Sequence, residues 1–186
     1  MSITYSGWIT ACVAHYRCQR YIKRAVESLL DQSYPWVRVI VINDGDPVAP
    51  WRELASIRDA RLVRFNLKAN HGCFFCWEVA RRATPDHFFM MQDADDWAAP
   101  DRAAALLSSM LEAKSDLAVS AQPQFCDGAD LITGPEQTAY LARALLFSPI
   151  IDRAWIAHQI IDTCCNLRVA SILTTGKRPR IVALVN

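Results

Sequence analysis

Val37-Arg38-Val39-Ile40-Val41-Ile42-Asn43-Asp44-Gly45-Asp46-Pro47 decides the fold. Its first six residues are almost wholly β-branched, as a central strand covered on both faces requires. The next five are a dense turn signal, so the strand ends in polar residues. Upstream, Trp8 to Val13 is a second short apolar run and reads as a buried strand. Between the two, Arg20 to Asp31 carries Ile22, Val26, Leu29 and Leu30 at i, i+4, i+7 and i+8, the apolar stripe of a helix. Tyr34-Pro35 is expected to end that helix, because proline disfavours helical backbone in the residue before it.

Downstream, Trp51 to Ile57 reads as a short helix and Leu62 to Phe65 as a strand. Asn70-His71-Gly72 makes a turn before a helix from Phe74 to Arg82. His87 to Met91 is a further apolar strand, running into Gln92-Asp93-Ala94-Asp95-Asp96-Trp97. Pro100 stands at the first turn of a helix whose stripe is Leu106, Leu107, Met110 and Leu111. Leu117 to Ser120 is a weaker strand, Gln122 to Pro135 a loop or short hairpin, and Ala139 to Phe147 is expected to be helical. Strands alternate with helices through about residue 120, which predicts an α/β domain: a mostly parallel central sheet with helices on both faces.

Composition narrows the function. The chain has 186 residues, 52% apolar and 21% charged, which suits one globular domain with a sizeable core. Twenty Lys and Arg against nineteen Asp and Glu leave a net charge of +1, so no electrostatic case exists for a nucleic-acid partner. No apolar run approaches the ~20 residues of a membrane span, and the start lacks a secretory signal pattern. Seven cysteines at irregular spacing argue against a disulfide framework and for a reducing compartment. The expected location is cytoplasmic, with at most peripheral membrane association.

In open parallel sheets, ligands bind beyond the carboxyl ends of the strands. Three strand ends here are polar: Ala14-His15-Tyr16-Arg17, Asn43-Asp44 and Asp93-Ala94-Asp95-Asp96. If the strands are parallel, all three lie on one edge. Clustered carboxylates repel unless a cation or hydrogen bonds compensate. Mg²⁺ and similar hard cations take oxygen ligands, commonly one or two carboxylates plus substrate phosphates. Asp93 and Asp95 therefore suggest a metal–diphosphate ligand, and a solvated acidic turn capping the next helix is the competing reading. Asp44 could accept hydrogen bonds from a base or ribose, or simply form an Asp-Gly turn. Tyr16 could stack on a base or pack under a loop.

These residues resemble a known family, the GT-A fold glycosyltransferases of family 2. The similarity runs through "ITACVAHYRCQRYIKRAVESLLDQ", "YPWVRVIVINDGD", "NHG" and "HFFMMQDADDWAAPDR", over about residues 8 to 120. It implies a GT-A-like single domain, 1–186, with a nucleotide-sugar-binding half over 1–120 and a short acceptor-side segment over 121–186. It implies transfer from a nucleotide-diphosphate sugar, UDP-linked in the commoner case, to an acceptor hydroxyl with inversion. Such chemistry serves polysaccharide biosynthesis, and the acceptor could be glycan, lipid or protein. The nucleotide-sugar contacts implied are Ala14, Tyr16, Asp44 and Asp93. The Asp-x-Asp pair Asp93 and Asp95 would hold Mg²⁺ or Mn²⁺, with Asp95 in direct contact and Asp96 supporting the loop.

Departures from the family pattern are specific. Asn43 replaces an acidic residue, Asp46 a serine, and Arg17 an asparagine. Cys76-Trp77-Glu78 occupies a stretch where the family often carries Ala-Arg-Asn, leaving Lys68 or Arg17 to supply a cation. No Glu-Asp pair of the kind that carries the family's catalytic base is present, and the stretch after Asp95 is short. Asp127, Asp130, Asp152 and Asp162 are candidates by type only, and the catalytic base is unassigned. A non-catalytic remnant that binds nucleotide sugar is the alternative function, and a metal-dependent hydrolase of nucleotide diphosphates a third.

Other motifs carry less. Cys73-x-x-Cys76 with Cys164-Cys165 could make a zinc site, but one CxxC knuckle is half of a ribbon, and small buried thiols are the competing reading. No HExxH, P-loop or GxGxxG occurs. An EF-hand starting at Asp93 would need Gly at Ala98 and Glu at Ala104. Lys177 to Arg180 reads as a solvated basic tail.

Overall fold

The computed structural model describes residues 7–85, 87–115, 117–121, 143–147 and 181–184. Seven strands among them form one sheet: β1 (Ile9–His15), β2 (Val37–Asp44), β3 (Leu62–Leu67), β4 (Phe88–Asp93), β5 (Leu117–Ala121), β6 (Arg143–Phe147) and β7 (Ile181–Leu184). The spatial order is β3-β2-β1-β4-β6-β5-β7. Neighbours among the first four are parallel, as the strand–helix alternation predicts. β6 runs antiparallel to both β4 and β5, and β7 pairs parallel with β5. The helices are α1 (Ile22–Leu30), α2 (Cys73–Ala83) and α3 (Arg102–Glu112).

Strand side chains alternate between faces, and the central strands feed two separate cores. Ile9, Ala11 and Val13 of β1 and Val37, Val39 and Val41 of β2 pack with the apolar stripes of α1 and α3. Cys12 of β1 and Ile40 and Ile42 of β2 pack instead with Cys76, Trp77 and Ala80 of α2. This is why β2 is apolar at nearly every position: both faces are covered. α1 buries Ile22, Ala25, Val26, Leu29 and Leu30, and full burial of each larger aliphatic is worth about 1.5–3 kcal/mol.

Three expectations are corrected. α1 ends at Leu30, before Tyr34-Pro35, with the Asp31 N–H bonded to the Glu27 carbonyl. Residues 50–56 form turns, not a helix: Leu54 N–H reaches Pro50 C=O, but Ala55 and Ile57 bond three residues back. Leu54 is the one fully buried side chain there, so no apolar stripe sustains a helix. Residues 143–147, expected to be helical, are strand β6, zipped between β4 and β5. Residues 122–135 and 139–142 lie outside the described residues.

Candidate functional site

Because β2, β1 and β4 are adjacent and parallel, their carboxyl ends share one sheet edge. Ala14 of β1 pairs with Ile42 on one side and with Asp93 on the other. Asp44 closes β2, Asp93 closes β4, and Tyr16 follows the last residue of β1. Cys73, which opens α2, is held above the usual thiol range first by burial and then by Asp93, with Asp44 contributing as well. Cys18 is raised by burial and by Asp95 and Asp93. A thiol from the loop after β1 and one at the start of α2 thus both feel Asp93, in keeping with the ends of β1, β2 and β4 and the start of α2 sharing one neighbourhood.

Asp44 is buried, and its carboxylate is engaged by the backbone: Oδ1 accepts the His71 N–H and Oδ2 the Gly72 N–H, each at 2.8 Å. It therefore fixes the turn that launches α2, where Gly72 adopts φ +85°. Tyr16 is 37% exposed, with the Arg17 guanidinium over its ring at 5.0 Å. Arg17 itself sits at φ +57°, a backbone region that asparagine tolerates better than most residues, so the family's asparagine there has a steric reason. Ala14 is half-buried between the two strand ends.

The two departures at positions 43 and 46 are one arrangement. Asn43 Nδ2 donates to the Asp46 carbonyl (3.0 Å) and to Asn66 Oδ1 (3.2 Å), bonds an ionised carboxylate could not make. Asp46 Oδ2 accepts the Arg17 N–H (2.6 Å) and Gln19 Nε2 (2.9 Å), while Oδ1 accepts the Val48 N–H (2.9 Å). These hydrogen bonds hold the Asp46 carboxyl below its usual range. They tie the loop after β1 to the loop after β2. Beside them His15 is fully buried, its Nδ1 3.4 Å from Asn43 Oδ1, and burial lowers its pKa.

Asp93 and Asp95 are exposed and Asp96 is half-buried. Asp93 reaches solvent but is crowded by protein, so burial raises its carboxyl pKa first and Asp95 second, against the pull of Arg102. Asp96 is pushed up to about 6 by burial and then by Asp93 and Asp95. Arg102, which the motif reading quoted without assigning it a role, is the buried cation beneath this group. Its Nη2 donates to the Met91 carbonyl at 2.8 Å and its Nη1 to Gln92 Oε1. Burial lowers its pKa to about 10, so it stays charged at neutral pH.

The residues after the acidic trio hang from α1. Ala98 N–H donates to Ser28 Oγ (3.0 Å), and Ser33 N–H donates to the Pro100 carbonyl (2.7 Å). Gln32 Nε2 donates to the Ala99 carbonyl (2.7 Å) and to the Ser28 carbonyl (2.9 Å), and Gln32 Oε1 accepts the Ala103 N–H (2.8 Å). In the sequence reading, Leu29 and Leu30 belong to the helix stripe and Tyr34-Pro35 ends it, with no role for Gln32 between them. The usable signal was a polar residue, Gln32, just past an otherwise apolar helix stripe.

Carboxylates this close suit a hard cation, which would offset the repulsion that adds to burial in raising Asp93 and Asp96. Among the described residues no group of three or more His, Cys, Asp or Glu is arranged to hold a metal. The zinc alternative loses ground on the described side: Cys76 is buried in the α2 core, and Cys73 is packed against it. Cys164, Cys165, Lys177 to Arg180 and the four downstream aspartates lie outside the described residues. No helix among the described residues is long and apolar enough to cross a membrane.

Comparison with known proteins agrees with this architecture. The chain resembles S. aureus TarS in complex with UDP-GlcNAc with a TM-score of 0.62 at 17% identity, over 83% of this chain and 48% of that one. It resembles the mannosyltransferase PcManGT from Pyrobaculum calidifontis, in complex with GDP-Man and Mn²⁺, with a TM-score of 0.58 at 20% identity, over 64% and 36% of the two chains. These likenesses establish the GT-A-like fold. Glycosyltransferase GlyA of Streptococcus pneumoniae serotype 4 is 25% identical over 114 residues, 60% of this chain and 16% of the relative. An uncharacterized glycosyltransferase of Haemophilus influenzae is 29% identical over 94 residues, 50% and 29% of the two. The chain thus spans less than a third of the curated relatives it matches. The pattern that defines glycosyl transferase family 2 runs through residues 10–173, from β1 past the acidic loop, and the chain belongs to that family.

Proposed function

We propose that the chain binds a nucleotide-diphosphate sugar at the carboxyl edge of β2-β1-β4 and serves transfer of the sugar to an acceptor hydroxyl. The observation that carries this reading is the arrival of Tyr16, Asp44, Asp93 and Asp95 on one edge from three adjacent parallel strands. Tyr16 offers an exposed aromatic face for the base. Asp44 shapes the base and ribose side by fixing His71 and Gly72. Asp93 and Asp95 form the diphosphate side. TarS structures with UDP and UDP-GlcNAc support a nucleotide-sugar donor, and a UDP-sugar is the donor we propose.

Asp95, with Asp93, would hold Mg²⁺ or Mn²⁺, and the complex of PcManGT with GDP-Man and Mn²⁺ supports that choice. Bound there, the cation would supply neutralisation of the leaving diphosphate. The chain's own residues do the rest. Arg102 offsets the acidic trio from below, and the anchored loop keeps Asp95 at the edge. In-line displacement from the far side of the anomeric carbon would invert its configuration. In this reading residues 1–120 hold the donor and 121–186 contribute to the acceptor side.

Isothermal calorimetry of UDP with Mn²⁺ tests the reading. Asp95→Ala is expected to lose at least about tenfold in cation-dependent affinity, roughly 1.4 kcal/mol. Equal binding by the parent and Asp95→Ala would remove Asp95 from the metal role. Slow donor turnover that EDTA abolishes would separate transfer from mere donor binding.

A further inference from the structure

We infer that Gln32, at the carboxyl end of α1, is a positioning residue for the acidic loop and sets its cation-dependent affinity without touching donor or cation. The inference rests on the donor-site reading above and adds a residue from another element to it.

Three observations carry it. First, the first turn of α3 has orphan N–H groups, and its N-cap, Asp101, makes no side-chain cap hydrogen bond. Gln32 Oε1, two residues past the end of α1, fills that role by accepting the Ala103 N–H. Second, the same amide donates through Nε2 to the Ala99 carbonyl, three residues beyond Asp96, and to the Ser28 carbonyl in the last turn of α1. Third, Gln32 is buried at 6% exposure, and its bond to the Ala103 N–H is buried with it, which limits competition from bulk water. Within the loop, backbone bonds run from Asp96 N–H to Asp93 C=O (3.2 Å) and from Arg102 N–H to Ala99 C=O (3.1 Å). The first closes the turn that bears the carboxylates, the second stiffens the segment Gln32 grips, and only Trp97 and Ala98, the latter anchored on Ser28 Oγ, separate the two. Loosening that grip lets Asp95 and Asp96 drift apart from Asp93, whose place in β4 is fixed by the sheet.

The consequence is selective. UDP affinity in EDTA depends on the base and ribose side, built from β1, β2 and the start of α2, and should not change. The gain that Mn²⁺ adds depends on the carboxylates being held together, and should shrink. Gln32→Met keeps the side-chain length and removes both hydrogen-bonding atoms. It is expected to bind UDP in EDTA within about twofold of the parent and to lose five- to tenfold of the Mn²⁺-dependent gain. Ser28→Ala removes the acceptor of the Ala98 N–H, along with the hydroxyl's own bond to the Ala25 carbonyl, and is expected to lose two- to threefold of that gain. It decides the question if Gln32→Met does not fold. A lower melting temperature with the Mn²⁺ gain intact in whichever variant decides would make Gln32 merely structural and overturn the inference. If the parent itself shows no Mn²⁺-dependent gain, the metal reading fails and this inference with it. If parent and variant gain equally, only this inference fails.

Discussion

Asp96 shows how one side chain records the electrostatic state of the whole acidic group. Burial and the charges of Asp93 and Asp95 raise its folded pKa to about 6, from an ordinary 3.8. Between those values the unfolded chain has released the proton and the folded chain still binds it. Stability therefore falls as pH rises through this window, and the loss persists above it. In cation-free buffer with EDTA, Asp96→Asn is expected to be more stable than the parent near neutral pH, by up to about 2 kcal/mol after allowance for partial exposure. The difference should vanish below about pH 4. Urea titrations across the pH series check this, and an Asp96→Asn protein no more stable than the parent at neutral pH would refute it. The neighbouring Asn43–Asp46 pair makes a different point at the same scale. A sequence comparison registers both as losses from the family pattern, whereas the hydrogen bonds show a replacement in which the amide donates and the carboxylate accepts.

Turns at the carboxyl edge set the geometry of the elements they join, and Gly45 is the tightest of them. It adopts φ +71°, and a Cβ built on it would lie 2.3 Å from the Ala69 carbonyl carbon and 2.5 Å from Asn70 N. Both are backbone atoms, so no side-chain rotation relieves the contact. Gly45→Ala is expected to cost about 3 kcal/mol or more, combining left-handed strain with overpacking. It should also push away the 69–72 turn that Asp44 holds, so UDP affinity in the folded fraction should fall with it. Chemical denaturation and UDP titration measure the two effects, and an unchanged unfolding midpoint would show that the backbones can part freely. Elements of this kind differ in how far sequence exposes them. β2 was legible because β-branched residues crowd it, and α1 because its stripe repeats at helical spacing. Residues 143–147 were not, because an Ala- and Leu-rich run suits helix or strand equally. The choice went to pairing with β4 and β5, which are distant in sequence. Residues 51–57 misled for the opposite reason: helix-forming residue types are present, but Leu54 alone is fully buried.

At the scale of the molecule, the parallel run of the first four strands follows from alternation of strand and helix, and that parallelism made Tyr16, Asp44, Asp93 and Asp95 legible as candidates on one edge. What alternation could not reveal was the support behind them. Gln32 acts through partners far away in sequence and Arg102 through a buried fold-back onto β4, and such polar contacts leave no periodic trace. That support bears on how the molecule takes a cation. The two proposed ligands, Asp93 and Asp95, leave most of a Mn²⁺ coordination shell to other oxygens. A nucleotide diphosphate adds phosphate oxygens, so cation and nucleotide should bind synergistically. Both bind the folded state, so their binding appears as stability, about 2.7 kcal/mol at a hundredfold excess over Kd. For a chain of this size that corresponds to a rise in Tm of roughly 5–10 °C for UDP with Mn²⁺ together. Mn²⁺ alone is expected to give less than about a third of that rise, as is UDP in EDTA, because each forfeits the other's contacts. Differential scanning fluorimetry with the four combinations measures it. A full shift from Mn²⁺ alone would reveal a self-sufficient protein metal site and overturn the shared-shell reading. A full shift from UDP in EDTA would show a donor site that needs no cation, with Asp93 and Asp95 serving the ribose rather than the diphosphate.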